Sequence, residues 1–295
     1  MSWRVTLKCT RAEAEALPDS EDMFPFAASP PVIVADEPDP HAPDDWRIHA
    51  YFSDRPGGRE LELLGRLAAG SQPEVEQLGE DDWVRMSQAG LEPIRAGRFF
   101  VHTPVHRDAI PTGTIAFEID AGLAFGTGQH DTTAGCLAAL DRLERSGKRF
   151  TNIADIGTGT GLLAFAALAL WPEAKGIATD IDPISIDVTN DNARINGIAI
   201  GHARGELLLA VADGMDHAMV AARAPFDLLI ANILAGPLID LAPAFAASVT
   251  PGATLLLAGL LDTQADAVKF AYEEAGMRLI EPGAGEWRVL VLEAT

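Results

Sequence analysis

The chain has little cysteine, little positive charge and no long apolar run, and each shortage removes a class of protein. Only two cysteines, Cys9 and Cys136, occur in 295 residues, and they are far apart. Neither a disulfide framework nor a thiolate metal site is expected. Lysine and arginine number 22 against 43 acidic residues, giving a formal net charge of −21. Binding driven by a phosphate backbone rewards clustered cations, so direct nucleic-acid association is not expected. A basic protein partner suits the charge, which serves equally as an ordinary solubility device. No apolar run approaches the roughly twenty residues that span a bilayer. The opening MSWRVTLKCTRAEAEAL lacks the basic-then-apolar order of a secretory signal. No membrane and a cytoplasmic setting are the expectations. Internal repeats, low-complexity tracts and a strong nucleophile or acid–base pair are missing as well. What is present is 48% hydrophobic, enough for a substantial core, in a length that suggests roughly two domains.

The most informative segment is Ile153 to Gly161, IADIGTGTG, where an apolar strand meets three alternating glycines and then the helical run Leu162 to Trp171. Without β-carbons, Gly157, Gly159 and Gly161 let a ligand approach the backbone. The helix that follows offers unpaired N–H groups with partial positive charge. A nucleotide-like cofactor is expected, with a purely structural turn as the alternative. The dinucleotide fingerprint G-x-G-x-x-G fails, because Leu162 holds its sixth position. That departure favours S-adenosylmethionine over a nicotinamide cofactor.

Three later strand ends supply candidate contacts. The run KGIATDID, Lys175 to Asp182, places Asp180 about twenty residues beyond the glycines, where an acid can accept both hydroxyls of a ribose. Asp182, just before Pro183, better suits a helix cap. Asp213 follows the apolar Leu207 to Ala212 and is placed to accept from an adenine amino group. Asn232 ends the run Phe226 to Ala231, where its amide can donate and accept beside the reacting centre. A local turn-stabilising role for Asn232 is the alternative.

With these segments in hand, the chain resembles the ribosomal-protein-L-eleven methyltransferases (PrmA type), a class I S-adenosylmethionine-dependent family. The resemblance is carried by DAGLAFGTGQHDTT (Asp120 to Thr133), ADIGTGTGLLA, TDIDP, DNARING and ANILAGPL, in that order, over about Ile115 to Thr295. It implies that Thr133, Gly157, Asp180 and Asn232 contact the cofactor, Thr133 being the second threonine of H-x-T-T. Gln129 and Asp131 stand at variable positions of the signature, and Thr158 replaces a cysteine often found between the first two glycines. The resemblance further implies transfer of methyl groups to lysine and N-terminal amines of large-subunit ribosomal protein L-eleven. Action on another protein or a small amine is the alternative. The loop Phe125 to Gly128 reads either as a cofactor lid or as a flexible connection.

Strands alternating with helices predict a doubly wound α/β sheet of seven strands, a Rossmann-like class I methyltransferase domain, over 104–295. The last two strands, Met277 to Glu281 and Trp287 to Glu293, are joined too tightly for a helix and should form an antiparallel edge hairpin. Before it, 80–103 reads as linker followed by an accessory strand at Phe99 to His102, with Trp83 packing between domains. The region 1–79 reads strand, helix, strand, strand, helix, a small α+β unit of ferredoxin-like type, with an exposed hairpin loop over Asp36 to Asp45. In the resembled family this domain recognises the ribosomal protein.

Methyl transfer to nitrogen needs a neutral amine, yet a lysine has an unperturbed pKa of about 10.4. Desolvation beside a sulfonium disfavours the ammonium, so no dedicated base is required. Asn232 is the candidate catalytic residue, orienting the amine through its carbonyl oxygen. His130 is a weaker candidate that serves equally as a local hydrogen-bonding group.

Overall fold

The structure is a computed structural model that describes residues 2–15, 17, 23–24, 30–36, 46–68, 70–78, 93–119, 129–283 and 287–295. The expectations for Trp83, the loop 125–128, the segment after Asp36 and the side chain of His130 concern positions outside the described residues. The chain divides into two compact units, Met1–Gly90 and Leu91–Thr295.

In the first unit, β1 (Ser2–Cys9), α1 (Arg11–Glu15), β2 (Val32–Asp36), β3 (Trp46–Phe52), α2 (Gly58–Gly65) and β4 (Glu74–Leu78) follow one another. The antiparallel sheet has the order β2-β3-β1-β4. Two split strand–helix–strand halves in this order are the ferredoxin-like arrangement expected from the sequence. Period-two alternation explains the core: Val5 and Leu7 face Ala50 and Ile48 across the strand pair, and all four are buried with Phe24 and Leu64. A capping box starts α1, where the Thr10 N–H donates to Glu13 Oε2 at 2.8 Å and the Glu13 N–H donates to Thr10 Oγ1 at 3.3 Å. The fourth strand was not read from the sequence. Its residues EVEQL bury only Leu78, because it is the sheet's edge and carries charge toward solvent, including a Glu76 that pairs with Arg4 at 2.6 Å.

The second unit begins with a three-stranded sheet, β5 (Ile94–Ala96), β6 (Phe99–His102) and β7 (Ile115–Glu118). Then come α3 (Gln129–Arg145), β8 (Asn152–Ile156), α4 (Leu162–Leu170), β9 (Lys175–Asp180), α5 (Pro183–Ile195), β10 (Leu207–Val211), α6 (Ala218–Arg223), β11 (Phe226–Asn232), α7 (Ala235–Ala247), β12 (Val249–Leu261), α8 (Asp262–Glu274), β13 (Met277–Glu281) and β14 (Trp287–Ala294). The seven-stranded sheet has the order β10-β9-β8-β11-β12-β14-β13. Five strands are parallel, and β14 runs antiparallel between β12 and β13, closing the hairpin that the short connection demanded. This is the class I methyltransferase fold.

Both faces of the sheet are covered, which is why its central strands are continuous apolar runs rather than alternating ones. Leu228 and Ile230 of β11 pack on one side with Phe165 and Leu137, while Leu229 and Ala231 pack on the other with Leu238 and Phe245. Helix α4 is apolar all round and buried from Leu162 to Leu168, with α3 packed against it. The strand order reverses between β8 and β11. In an open α/β sheet the crevice outside the carboxyl ends of the strands at such a switch point is where ligands bind.

Candidate functional site

The ends of β8, β9 and β11, three of the four selected from the sequence, come together at that crevice. After β8, the Gly157 and Thr158 N–H groups both donate to Thr179 O of β9, at 2.8 and 2.9 Å. Gly159 N–H donates to Asp180 Oδ2 at 2.9 Å, and the other Asp180 oxygen accepts from Asp182 N–H at 3.0 Å. The acid read as a ribose acceptor therefore also ties the glycine turn to its neighbouring strand. A carboxylate offers about four lone-pair sites, so two remain for a ligand. Asp182 caps α5 by accepting from Ile184 N–H at 2.9 Å, as its position before Pro183 suggested. Asp213 is exposed just beyond β10, whose Val211 lies opposite Asp180 in the register.

Gly157 and Gly159 serve different ends. Gly157 has φ +74°, and a β-carbon there would lie 2.3 Å from Ile233 Cγ2, so its absence lets the loop after β11 close over the turn. At Gly159 nothing among the described residues lies within 4 Å of the missing β-carbon. Among the described residues the Cα face of this middle glycine is thus uncovered. Asn232 is half-buried at the end of β11, opposite Ala258 of β12, and Ile233 next to it joins the Asn232 loop to the turn. Thr133 is buried near the start of α3, the helix packed on α4.

Several supporting residues escaped the sequence reading. Asp155, in the strand of the motif itself, is 1% exposed and accepts from Thr158 Oγ1 at 2.6 Å and from Ala164 N–H at 3.2 Å. Helix α4 has a glycine, Gly161, at its N-cap and no side-chain cap. Asp155 supplies from the strand the acceptor that the glycine lacks. Thr158, noted as replacing a cysteine, is what gives this carboxylate a hydroxyl donor. From the other side, Thr189 Oγ1 donates to Gly159 O at 2.9 Å and Asn192 Nδ2 donates to Thr160 O at 3.0 Å. Asn196 grips β7, accepting from Glu118 N–H at 2.8 Å and donating to Glu118 O at 2.7 Å. Thr189, Asn192 and Asn196 are spaced i, i+3, i+7, so a polar stripe along α5 was the available signal.

Burial drives the Asp155 carboxyl up from 3.8 to about 6, with the charge of Asp180 adding to the rise and the two hydrogen bonds opposing it. Burial also raises the Cys136 thiol, helped by Asp155 nearby. Because the folded-state value of Asp155 lies above the unfolded one, its proton stabilises the fold fully below about pH 4. That contribution is lost as pH rises through 6, leaving a cost of about 3 kcal/mol at neutral pH. Replacing Asp155 with asparagine is expected to remove this component. The difference in unfolding free energy between wild type and Asp155→Asn, followed by denaturant titration, should change between pH 4 and 6 and be constant above 7. A difference that is flat across pH 4–6 would contradict the assignment.

Comparisons with known proteins bear on what this site does. A family model described as ribosomal protein L11 methyltransferase (PrmA) matches residues 7–295. A protein of Caulobacter sp. named ribosomal protein L11 methyltransferase is 38% identical over 294 residues, covering 98% of this chain and 97% of that protein. One of the same name from Brucella suis is 47% identical over 204 residues, 69% of each. Among solved structures, a ribosomal protein L11 methylase from Lactobacillus delbrueckii subsp. bulgaricus superimposes with a TM-score of 0.58 at 26% identity, covering 70% of this chain and 99% of that one. Fold and sequence agree: this chain is a methyltransferase that belongs to the ribosomal protein L11 methyltransferase (PrmA) family.

Proposed function

We propose that the chain transfers methyl groups from S-adenosylmethionine to lysine side chains and the N-terminal amine of ribosomal protein L11. The observation that carries the reading is the Cα face of Gly159, uncovered among the described residues and flanked by Asp180, set at the switch point of the sheet with Asn232 across the turn. Such a cradle fits a nucleoside. Gly157 and Gly159 admit it to the backbone, Asp180 holds its ribose hydroxyls, Asp213 accepts from its base, and Thr133 and Asn232 complete the contacts that the family resemblance implies. When bound, S-adenosylmethionine supplies an electrophilic methyl: the amine nitrogen forms the new N–C bond and the C–S electron pair returns to sulfur.

The protein's own part is alignment and drying. The ammonium first yields its proton to water, which burial favours by destabilising the charged form. Asn232 then accepts one amine hydrogen through Oδ1 and so aims the lone pair, and such alignment converts an encounter into an effectively intramolecular step. The substrate is a basic protein in this reading, and the net charge of −21 aids encounter with it. We assign its recognition to residues 1–79, whose fold carries a groove of about 710 Å³ lined in part by Thr10, Glu13, Arg47 and Gln72. The reaction is placed in the cytoplasm, and neither direct nucleic-acid binding nor membrane attachment enters it.

The cofactor assignment is tested at Asp180. Truncation to alanine removes a charge-assisted acceptor and is expected to weaken S-adenosylmethionine binding by about 2–3 kcal/mol, roughly 30- to 150-fold. Calorimetry on the Asp180→Ala variant would show it. Unaltered affinity would count against the ribose role.

A further inference from the structure

Leu234 breaks two local rules at once. It is 74% exposed, although it lies two residues after the end of β11, whose Leu228 to Ala231 are buried. It also occupies the N-cap of α7 with no side-chain cap, a position where serine, threonine, aspartate and asparagine are strongly preferred and leucine is among the poorest choices. Departures from local preference concentrate where function demands them.

The backbone around it does not let the side chain turn inward. Ile233 is boxed by two glycines of positive φ: Gly157, whose missing β-carbon would lie 2.3 Å from Ile233 Cγ2, and Gly259, whose missing β-carbon would lie 2.4 Å from Ile233 O. With Ile233 held from both sides, Asn232 and Leu234 are presented together at the crest of the sheet. Past Leu234, Gly236 and Pro237 are exposed, and nothing among the described residues lies within 4 Å of a β-carbon built on Gly236.

We propose that Leu234 is a substrate-contacting residue that packs on the aliphatic stem of the incoming lysine and keeps water from its nitrogen while Asn232 orients it. This rests on reading the crest as the methyl-transfer site. The chemistry explains the residue type. Four methylenes precede a lysine nitrogen, and an apolar wall that matches them removes solvent from the ammonium, favouring loss of its proton to water before attack. A polar N-cap at 234 would serve the helix better and the amine worse.

The test uses the full chain, with Leu234→Asn and Leu234→Met compared with wild type. Three quantities are read: the thermal midpoint, S-adenosylmethionine affinity by calorimetry, and methylation of lysines in ribosomal protein L11 against pH. Leu234→Asn is expected to keep or raise the midpoint, to bind the cofactor within about twofold of wild type, and to lose roughly tenfold or more in kcat/KM near neutral pH, the scale of a lost apolar pocket contact. Its rate should climb at higher pH than that of wild type, because the amine is less desolvated. Leu234→Met should behave like wild type. An asparagine variant that methylates lysine at the wild-type rate with an unshifted profile overturns the inference alone. Lower midpoints and lost activity in both variants overturn it too, since Leu234 would then be structural. A wild-type chain that methylates no residue of the protein defeats the underlying reading of the site.

Discussion

Gly259→Ala is expected to lower the thermal midpoint of the C-terminal unit by about 10 °C and to abolish methyl transfer in what remains folded. Gly259 has φ +85°, and a β-carbon there would stand 2.4, 2.8 and 2.9 Å from the O, C and N atoms of Ile233. The left-handed conformation alone costs a non-glycine residue roughly 1–2 kcal/mol. Contact with backbone cannot be relieved by a rotamer change, so overpacking adds about 1–3 kcal/mol more. The comparison with Gly157→Ala sharpens the argument. There the clash is with Ile233 Cγ2, a side-chain methyl, whose displacement costs less than moving backbone. Gly157→Ala should therefore be the milder lesion in thermal unfolding, yet it should still impair cofactor binding because the turn and the Asn232 loop no longer close. Equal midpoints for the two variants, or a Gly259→Ala protein as stable as wild type, would show that the loop is not boxed as described.

The second large effect is expected at Asn232. Truncation to alanine should reduce kcat for L11 methylation by about a hundredfold, the scale on which misaligned reactants lose rate. Cofactor affinity should change far less, because Asp180 and the glycine turn remain. The backbone of Asn232 is already fixed by its pairing opposite Ala258, so stability should move little. Single-turnover methylation with saturating S-adenosylmethionine separates the two quantities. Loss of affinity equal to the loss of kcat would make Asn232 a cofactor contact only.

Much of the site was legible because its determinants are local. Alternating glycines after an apolar strand, an acid at the next strand end and an amide at a third are all written in single segments, and the cap at Asp182 followed from the proline after it. The seven-stranded sheet was equally plain, since strands covered on both faces are apolar throughout. What escaped depends on neighbours distant in sequence. Asp155 reads as an ordinary strand residue until α3 and α4 cover it and leave the uncapped N-terminus of α4 within its reach. Asn192 and Asn196 acquire partners only when α5 lies against the glycine turn and β7. The edge strand β4 was missed because it buries a single side chain, and β5 and β7 because three or four residues carry too little periodicity. The exposure of Leu234 is likewise invisible in the sequence: ILAGPL after Asn232 looks uniformly apolar, and only the boxed Ile233 decides which residue faces out.

The central claim is methyl transfer from S-adenosylmethionine to amines of one ribosomal protein. Its most direct test is incubation of the purified chain with labelled S-adenosylmethionine and ribosomal proteins taken from cells lacking this chain, followed by mass spectrometry. The account predicts label on L11, as mass increments of methyl groups on lysine side chains and the N-terminal amine. Label confined to other proteins, or none at all despite bound cofactor, would contradict it.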